Sequence, residues 1–202
     1  YVISGSGKKV PEDTGTYPKS ALVTTDTEIE SQSMVDYLCS CGHKRIAFIT
    51  SGDEGLGRCH LNGYKRSLEK NGLEYDEKLI IRLKPGKRIY TIENGYNCTC
   101  ELLKSGVDFS CIYAISDTLA VGACRAVIDS GKRVPEDYCV AGADGQDIAE
   151  YYHPSITTLK YPRVEIALQS VRTLFDLINR KKVVKRQILG GTLIERESTR
   201  KL

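Results

Sequence analysis

The sequence has no stretch of about eighteen uninterrupted apolar residues, so it offers no candidate for a membrane-spanning helix. A basic segment followed by a short apolar run is also missing from its start, so no export signal is visible. The chain opens instead on Tyr1-Val2-Ile3-Ser4, which is typical of the end of a buried strand and predicts a truncated start. We therefore expect a protein without membrane attachment.

The sequence also lacks a strong excess of one charge. It has 29 lysines and arginines against 26 acidic residues, a net charge of +3. A surface that binds nucleic-acid phosphates normally has a more concentrated basic excess. The longest basic cluster, at residues 180–186, lies at the end of a predicted helix, where cations suit the helix dipole and stay solvated. A nucleic-acid contact by this cluster is the alternative, and we expect no DNA-binding surface in the chain.

The cysteine spacing lacks the Cys-x-x-Cys pairs typical of zinc sites. The eight cysteines fall largely in predicted helices and strands, unlike the loop-rich framework of a small secreted protein. Cys39 and Cys41 are separated by one residue, as are Cys98 and Cys100. We expect reduced thiols in a cytoplasmic protein, with no metal and no cofactor.

Motifs for catalysis or nucleotide binding are missing as well. The loop at residues 52–57 contains three glycines, but it lacks the lysine and hydroxyl of a phosphate-binding loop, and its two acids would repel phosphate. The histidines, His43, His60 and His153, have no Gly-x-Ser-x-Gly elbow near them. The sequence therefore predicts a binding protein and not an enzyme.

What the sequence does contain is an alternation of short apolar runs with segments of helical period. It predicts strands at residues 21–25, 45–50, 79–83, 111–115 and 138–141, and an extended segment at 156–159. It predicts helices at 26–41, 58–71, 89–105 and 117–130, and a long helix opening at Pro162. Connections this short imply right-handed βαβ crossovers. We predict an α/β fold with parallel sheet flanked by helices.

In such folds, ligands bind beyond the carboxyl ends of the strands. Three of the loops at that edge contain an aspartate: Asp26, Asp117 and Asp144. Carboxylates that accept hydrogen bonds from vicinal hydroxyls suit a sugar or a nucleoside. Asp26 and Asp117 precede predicted helices, and capping is the favoured role for both. Asp144 lies beside Gly145 and begins no obvious helix, so ligand contact stays open there.

Several groups of residues recur in an order typical of one protein family. They are residues 42–49, Gly63-Tyr64 with Leu68, residues 116–123, 134–137, 141–144, 156–158 and the terminal residues 193–199. Together they cover essentially the whole chain, and in this order they resemble the LacI/GalR family of bacterial transcription regulators.

That resemblance implies a two-lobed fold of the type I periplasmic-binding-protein kind, with a small-molecule effector in the cleft. Residues 1–41 and 160–188 would form a partial N-terminal lobe. Residues 44–158 and 190–202 would form the C-terminal lobe. The rest of the N-terminal lobe and the helix-turn-helix headpiece would precede Tyr1. The family also implies a homodimer that binds operator DNA through the missing headpiece.

The resemblance also implies a set of effector-binding residues. They are Ser4, Arg58, His60, Ser116, Asp117, Asp144 and Tyr161. His60 stands three residues before the Gly-Tyr pair, where the family usually has an arginine. An imidazole lacks the paired donors of a guanidinium, so we do not expect a common hexose as effector. A solvated helix face is the alternative for His60.

The predicted function is the ligand-sensing core of a DNA-binding regulator or repressor. A sugar, a nucleoside or a related polar molecule would bind in the cleft and modulate operator binding. The alternative is a periplasmic solute-binding protein of a sugar transporter, against which the eight cysteines and the tail at residues 195–198 argue. A sensor domain fused to a kinase or cyclase is a further alternative.

Overall fold

The computed structural model describes residues 2–5, 20–84, 86 and 88–202, the first of these ranges by its backbone only. The strands are β1 Val2–Gly5, β2 Ala21–Thr24, β3 Ile46–Thr50, β4 Ile80–Arg82, β5 Cys111–Ala114, β6 Cys139–Asp144, β7 Thr157–Lys160, β8 Arg186–Ile188 and β9 Thr192–Ile194. The helices are α1 Thr27–Ser40, α2 Gly55–Lys70, α3 Ile92–Lys104, α4 Asp117–Asp129, α5 Asp147–Tyr151 and α6 Arg163–Ile178, with a short 3-10 turn at Glu77–Leu79.

The strands form two separate sheets. The larger sheet has the order β4-β3-β5-β6-β7-β9, and the smaller one has the order β1-β2-β8. All neighbouring strands are parallel except β9, which runs antiparallel to β7. The chain passes between the sheets after β2, after β7 and after β8. The predicted α/β fold with two lobes and parallel sheets is confirmed.

The hydrophobic core belongs to the larger sheet. Strands β3 and β5 are buried along their whole length, as expected for central parallel strands covered on both faces. The ring of Phe48 lies between those of Tyr64 and Tyr113, with centroid distances of 5.0 and 5.1 Å. The Tyr64 hydroxyl donates to the Ile46 carbonyl at 2.8 Å, which satisfies the polar end of a fully buried ring.

The helices on this sheet pack in two close pairs, α1 with α2 and α3 with α4. Gly63 of α2 lies directly against α1, where a Cβ would overlap the Glu28 carbonyl oxygen. Gly95 of α3 and Gly122 of α4 allow the same close approach in the second pair. Because these positions carry no side chain, the paired backbones come into direct contact.

Helix α1 corrects the predicted lobe boundary. The proposed N-terminal unit, residues 1–41, includes α1, but Met34, Val35 and Leu38 are fully buried in the core of the larger sheet. The physical reason is the pairing of α1 with α2 through Gly63. The chain therefore leaves the smaller sheet at residues 25–26. Helix α6 packs on β1 and β2.

The remaining differences concern three short elements in the last third of the chain. Helix α5 and strands β8 and β9 have three to five residues each, too few for a period to be recognised in the sequence.

The basic residues at 180–186 are exposed, and Lys181 pairs with Asp176 at 3.2 Å. Within the described ranges, no helix is long and apolar enough to cross a membrane.

Candidate ligand-binding site

A cavity of about 240 Å³ lies beyond the carboxyl ends of β5, β6 and β7. It is lined by Thr27, Glu30, Leu56, His60, Tyr90, Tyr113, Ile115, Ser116, Ala143, Asp144, Leu159 and Tyr161. This is the edge at which open α/β sheets bind ligands. A concave site with apolar walls and a few convergent polar groups is typical of small-molecule binding.

Four of the seven predicted site residues come together here: His60, Ser116, Asp144 and Tyr161 all line the cavity. Arg58 does not, because its side chain is exposed and its Nε donates to the Asp53 carbonyl at 2.9 Å. Leu56 and His60, each two residues from Arg58, line the cavity, so Arg58 lies on the opposite side of α2. The side chain of Ser4 lies outside the described residues, although its backbone pairs with Val23.

Asp117 is also absent from the described lining, and it does not cap its helix. The cap of α4 is Ser116, whose hydroxyl accepts the Leu119 amide at 3.3 Å. The fully buried Asp117 carboxylate accepts from the Thr158 hydroxyl and from the Gln146 amide, both at 2.6 Å. Burial raises the pKa of Asp117 to about 6. Asp117 therefore holds β7 and the start of α5 in place behind the cavity wall.

The capping role predicted for Asp26 is confirmed. Its carboxylate accepts from the amides of Glu28 and Ile29 at 3.1 and 3.2 Å. This cap fixes the first turn of α1, and that turn brings Thr27 and Glu30 to the cavity. Asp26 therefore positions the site without lining it in the described structure.

Asp144 occupies a conformation that few residues adopt. Its φ is +101°, a region that favours glycine, and such strain is concentrated at functional sites. Its carboxylate accepts from the Gln146 side-chain amide at 3.0 Å. Burial raises the pKa of Asp144, while the Gln146 hydrogen bond and the charge of Arg163 partly offset that effect. A strained, half-buried carboxylate in a cavity wall is suited to ligand contact.

His60 faces the cavity and not the solvent, so the solvated-face alternative is wrong. Its Nδ1 is buried and has no hydrogen-bond partner in the described part of the chain. Burial lowers the pKa of His60 to about 4. The imidazole is therefore neutral at pH 7 and presents one donor and one acceptor nitrogen.

Glu30 is the main polar residue that the sequence analysis missed. One carboxylate oxygen, Oε2, accepts from the Thr25 hydroxyl at 3.2 Å. The other, Oε1, is buried and lies beside the backbone of Gly191, whose hydrogen bond to the carboxylate lowers its pKa. Burial raises the pKa of Glu30 to about 7, with a smaller contribution from the neighbouring Asp26. An acid in the first turns of a helix is easily attributed to the helix dipole, so the sequence gives no signal of a ligand role.

The described lining contains two carboxylates, Glu30 and Asp144, and neither lysine nor arginine. The charge of Arg163 acts on Asp144, and its guanidinium lies 5.8 Å from the centroid of the Tyr161 ring. Within residues 2–5, 20–84, 86 and 88–202, no three metal-ligating side chains converge. The described lining presents hydrogen-bonding groups and the aromatic rings of three tyrosines.

Comparison with known proteins places this geometry in one family. The model of the periplasmic-binding-protein-like domain matches residues 35–199. The chain is 33% identical, over 97% of its length, to the transcriptional regulator MalR of Clostridium butyricum, and it spans 63% of that protein.

Two solved structures show the same fold. A sugar-binding regulator of the LacI family from Escherichia coli, complexed with phosphate, superposes with a TM-score of 0.85 at 28% identity, over 98% of this chain and 68% of that one. A LacI-family regulator from Enterococcus faecium with bound ribose gives a TM-score of 0.81 at 28% identity, over 100% of this chain and 71% of that one. The chain belongs to the family of periplasmic-binding-protein-like domains, within the group that forms the cores of LacI-type regulators.

Proposed function

We propose that this chain is the ligand-sensing core of a bacterial transcription regulator of the LacI type. The observation that carries the proposal is the position of the cavity. It lies at the carboxyl ends of the larger sheet and touches two of the segments that connect the two sheets. Thr27 and Glu30 follow the passage after β2, and Leu159 and Tyr161 lie at the passage after β7.

A ligand in this position contacts the segments about which the two lobes would turn. If the ligand binds more tightly to the conformation with one relative angle of the lobes, it shifts the population of the protein toward that conformation. In the intact protein that shift would change the spacing of DNA-binding headpieces on their half-sites. The regulator would act in the cytoplasm as a homodimer, with a small molecule and operator DNA as its partners, and without catalysing a reaction.

The ligand class that best suits the site is a small polar molecule such as a sugar or a nucleoside. Neutral His60, the Ser116 hydroxyl and the Asp144 carboxylate provide donors and acceptors. The phenol ring of Tyr161 and the apolar side chain of Leu159 provide surfaces for the faces of a ring. Mixed polar and apolar walls of this kind recognise polyhydroxylated rings.

The second candidate is a solute-binding protein that delivers a sugar to a transporter, because the fold serves both roles. The curated relative and the two solved neighbours reported above are all regulators, which favours the regulator.

The test measures operator affinity of the protein from the complete reading frame by fluorescence anisotropy, with and without candidate sugars and nucleosides. We expect at least one ligand to change operator affinity by about 5-fold to 150-fold, the usual range of allosteric coupling. The Asp144→Ala variant should lose that response, and Asp147→Ala, an exposed neighbour, should keep it. A ligand that binds the core without altering operator affinity would favour the transporter candidate.

A further inference from the structure

The segment 51–57 leads from β3 into α2 and forms part of the cavity wall. Leu56, at the start of α2, and His60, one turn later, both line the cavity. Gly52 and Gly55 have φ angles of +110° and +52°, and glycine adopts positive angles about as readily as negative ones. The local sequence therefore does not hold the segment in one conformation, and contacts with other elements must do so.

Asp53 of this segment is contacted by two arginines from different elements. The Nε of Arg82, the last residue of β4, donates to both carboxylate oxygens of Asp53, at 2.8 and 3.0 Å. The Nε of Arg58, near the start of α2, donates to the backbone carbonyl of Asp53 at 2.9 Å. Asp53 thereby joins the end of β4 to the first turns of α2.

Arg82 is itself held by a second carboxylate. Its Nη1 pairs with Oε1 of Glu77 at 2.5 Å, and the Tyr75 hydroxyl donates to the other oxygen of the same carboxylate. The hydrogen bonds to Asp53 and Glu77 raise the pKa of Arg82 above its ordinary value. The side chain of Arg82 is 32% exposed. A partly buried guanidinium that binds two carboxylates is more ordered than an isolated ion pair on the surface.

The start of α2 lies directly against the segment that precedes it. A Cβ on Gly57 would overlap the Gly52 carbonyl oxygen, so a displacement of the segment 51–57 also displaces the first turn of α2. The N-cap residue, Glu54, makes no side-chain hydrogen bond to the helix amides in the described structure, so the usual side-chain cap does not fix this turn. The position of the turn therefore depends on how the segment is held.

We infer that Arg82 is a positioning residue of the cavity, which binds Asp53 and thereby fixes the segment that brings Leu56 and His60 to the cavity wall. Arg58 is the second anchor of the same segment, in place of the effector contact that the family resemblance implies. The inference goes beyond the proposed function, because neither arginine belongs to the described lining. The alternative is an ion pair at the surface whose loss leaves the cavity wall in place.

The test is amide hydrogen exchange of the whole chain, followed by NMR, for the variants Asp53→Asn and Arg82→Gln. It monitors the amides of residues 58–61, which form the first hydrogen bonds of α2. We expect these amides to exchange more than about 5-fold faster in each variant, because hydrogen bonds between charged groups are lost. An isolated exposed ion pair changes such an equilibrium by about 5-fold at most. The dispersion of the same spectra shows that each variant is folded.

The imidazole of His60 provides a second readout, which a general loss of stability does not move. Burial lowers the pKa of His60 to about 4 from an ordinary value of 6.5. If the first turn of α2 moves, the imidazole gains contact with water and its pKa rises toward the ordinary value. NMR titration of the ring protons, assigned with a His60→Gln variant, measures this pKa in both variants.

Arg45→Gln is the matched control. Arg45 precedes β3 at the opposite edge of the larger sheet, and it pairs with Asp76 at 2.8 Å, with side chains 41% and 28% exposed. This variant loses a comparable ion pair and should leave both readouts unchanged. The double variant of Asp53→Asn and Arg82→Gln should resemble each single variant, because the two residues act through one interaction.

The outcomes decide the inference without any ligand. Exchange within about 5-fold of the unaltered chain in both variants overturns it, and so does faster exchange with an unchanged pKa of His60, because the cavity wall then stays in place. Additive effects in the double variant also overturn it, since Asp53 and Arg82 would then act independently. None of these results bears on the proposed function, which fails only if no ligand changes operator affinity.

Discussion

The hydroxyl of Ser31 on α1 donates to the backbone carbonyl of His60 on α2 at 2.8 Å. The bond joins the helix that carries Glu30 to His60, a second residue of the cavity lining. Gly63, one turn further along α2, lets the two helices approach to backbone contact. The geometry of the site therefore depends on the packing of one helix pair.

The first prediction concerns Gly63→Ala. The added methyl group would overlap the Glu28 carbonyl oxygen, so α1 and α2 must separate. We expect the free energy of unfolding to fall by about 1–3 kcal/mol, the usual cost of overpacking, as measured by urea denaturation. Ligand affinity should fall as well, because Glu30 moves away from His60. Gly190→Ala is the control, since nothing lies within 4 Å of an added Cβ there, and an equal loss in both variants would contradict the prediction.

The second prediction concerns Asp117→Ala. Removing the carboxylate leaves the Gln146 amide and the buried Thr158 hydroxyl without their acceptor. We expect a loss of about 2–4 kcal/mol in the free energy of unfolding. Each of the two donors left without an acceptor costs about 1–3 kcal/mol, and relaxation of the surrounding structure recovers part of that cost. Chemical denaturation measures it, with Asp147→Ala as the exposed control. A stability close to that of the unaltered chain would show that water replaces the carboxylate.

The third prediction separates affinity from stability at Asp144. Glycine adopts the observed φ of +101° without strain, whereas the aspartate does not. Asp144→Gly should therefore change the free energy of unfolding by less than about 1 kcal/mol, since relief of strain offsets the lost hydrogen bond to Gln146. Ligand affinity should fall at least about 10-fold. Calorimetry and thermal unfolding of the same sample measure the two quantities, and a parallel fall of both would make Asp144 a structural residue.

The fourth prediction is a pH dependence of stability that belongs to Glu30. Its pKa is about 7 in the folded chain against 4.5 for an unperturbed glutamate, so the folded state binds more protons between these values. The contribution of Glu30 therefore makes the free energy of unfolding fall as the pH rises from about 4.5 to about 7, and level off above that. His60, with its lowered pKa, acts in the opposite direction.

The Glu30→Gln variant isolates this contribution, because His60 is present in both proteins. At each pH, the free energy of unfolding of the unaltered chain is subtracted from that of the variant. This difference should be larger at pH 8 than at pH 5 by on the order of 2 kcal/mol. Urea denaturation at the two pH values measures the difference. A difference of the same size at both values would mean that Glu30 stays ionised throughout.

The sequence predicts strands β3 to β7 and helices α1 to α4 because short apolar runs alternate with segments of helical period, and a glycine or an aspartate stands at the helix boundaries. Asp26 and Gly42 bracket α1, and the resemblance to the regulator family fits the observed sheets. The loops that line the cavity also follow from sequence, since they lie at the carboxyl ends of the strands. These features depend on residues that are close together in the sequence, so a pattern in the sequence is enough to predict them.

The features that the sequence does not reveal depend on contacts between distant segments. Glu30 resembles an ordinary acid of a first helical turn until α2 and β6 are placed around it. Asp117 resembles a helix cap until Thr158, 41 residues later, provides its partner. The lobe boundary is wrong for α1 because the sequence does not show that Gly63 brings this helix to the larger sheet. Such roles are set by packing across the fold.

The smaller sheet combines strands from opposite ends of the sequence, because Leu22 of β2 pairs with Arg186 of β8. Strands β3 to β7 of the larger sheet, in contrast, come from one continuous stretch of the sequence. Contacts between distant residues form slowly, because a long loop must close before they contribute. The larger sheet should therefore assemble first during folding, and β2 should gain its partner β8 only after that scaffold exists. A cavity that touches the passages between the sheets is then among the last parts of the molecule to take shape.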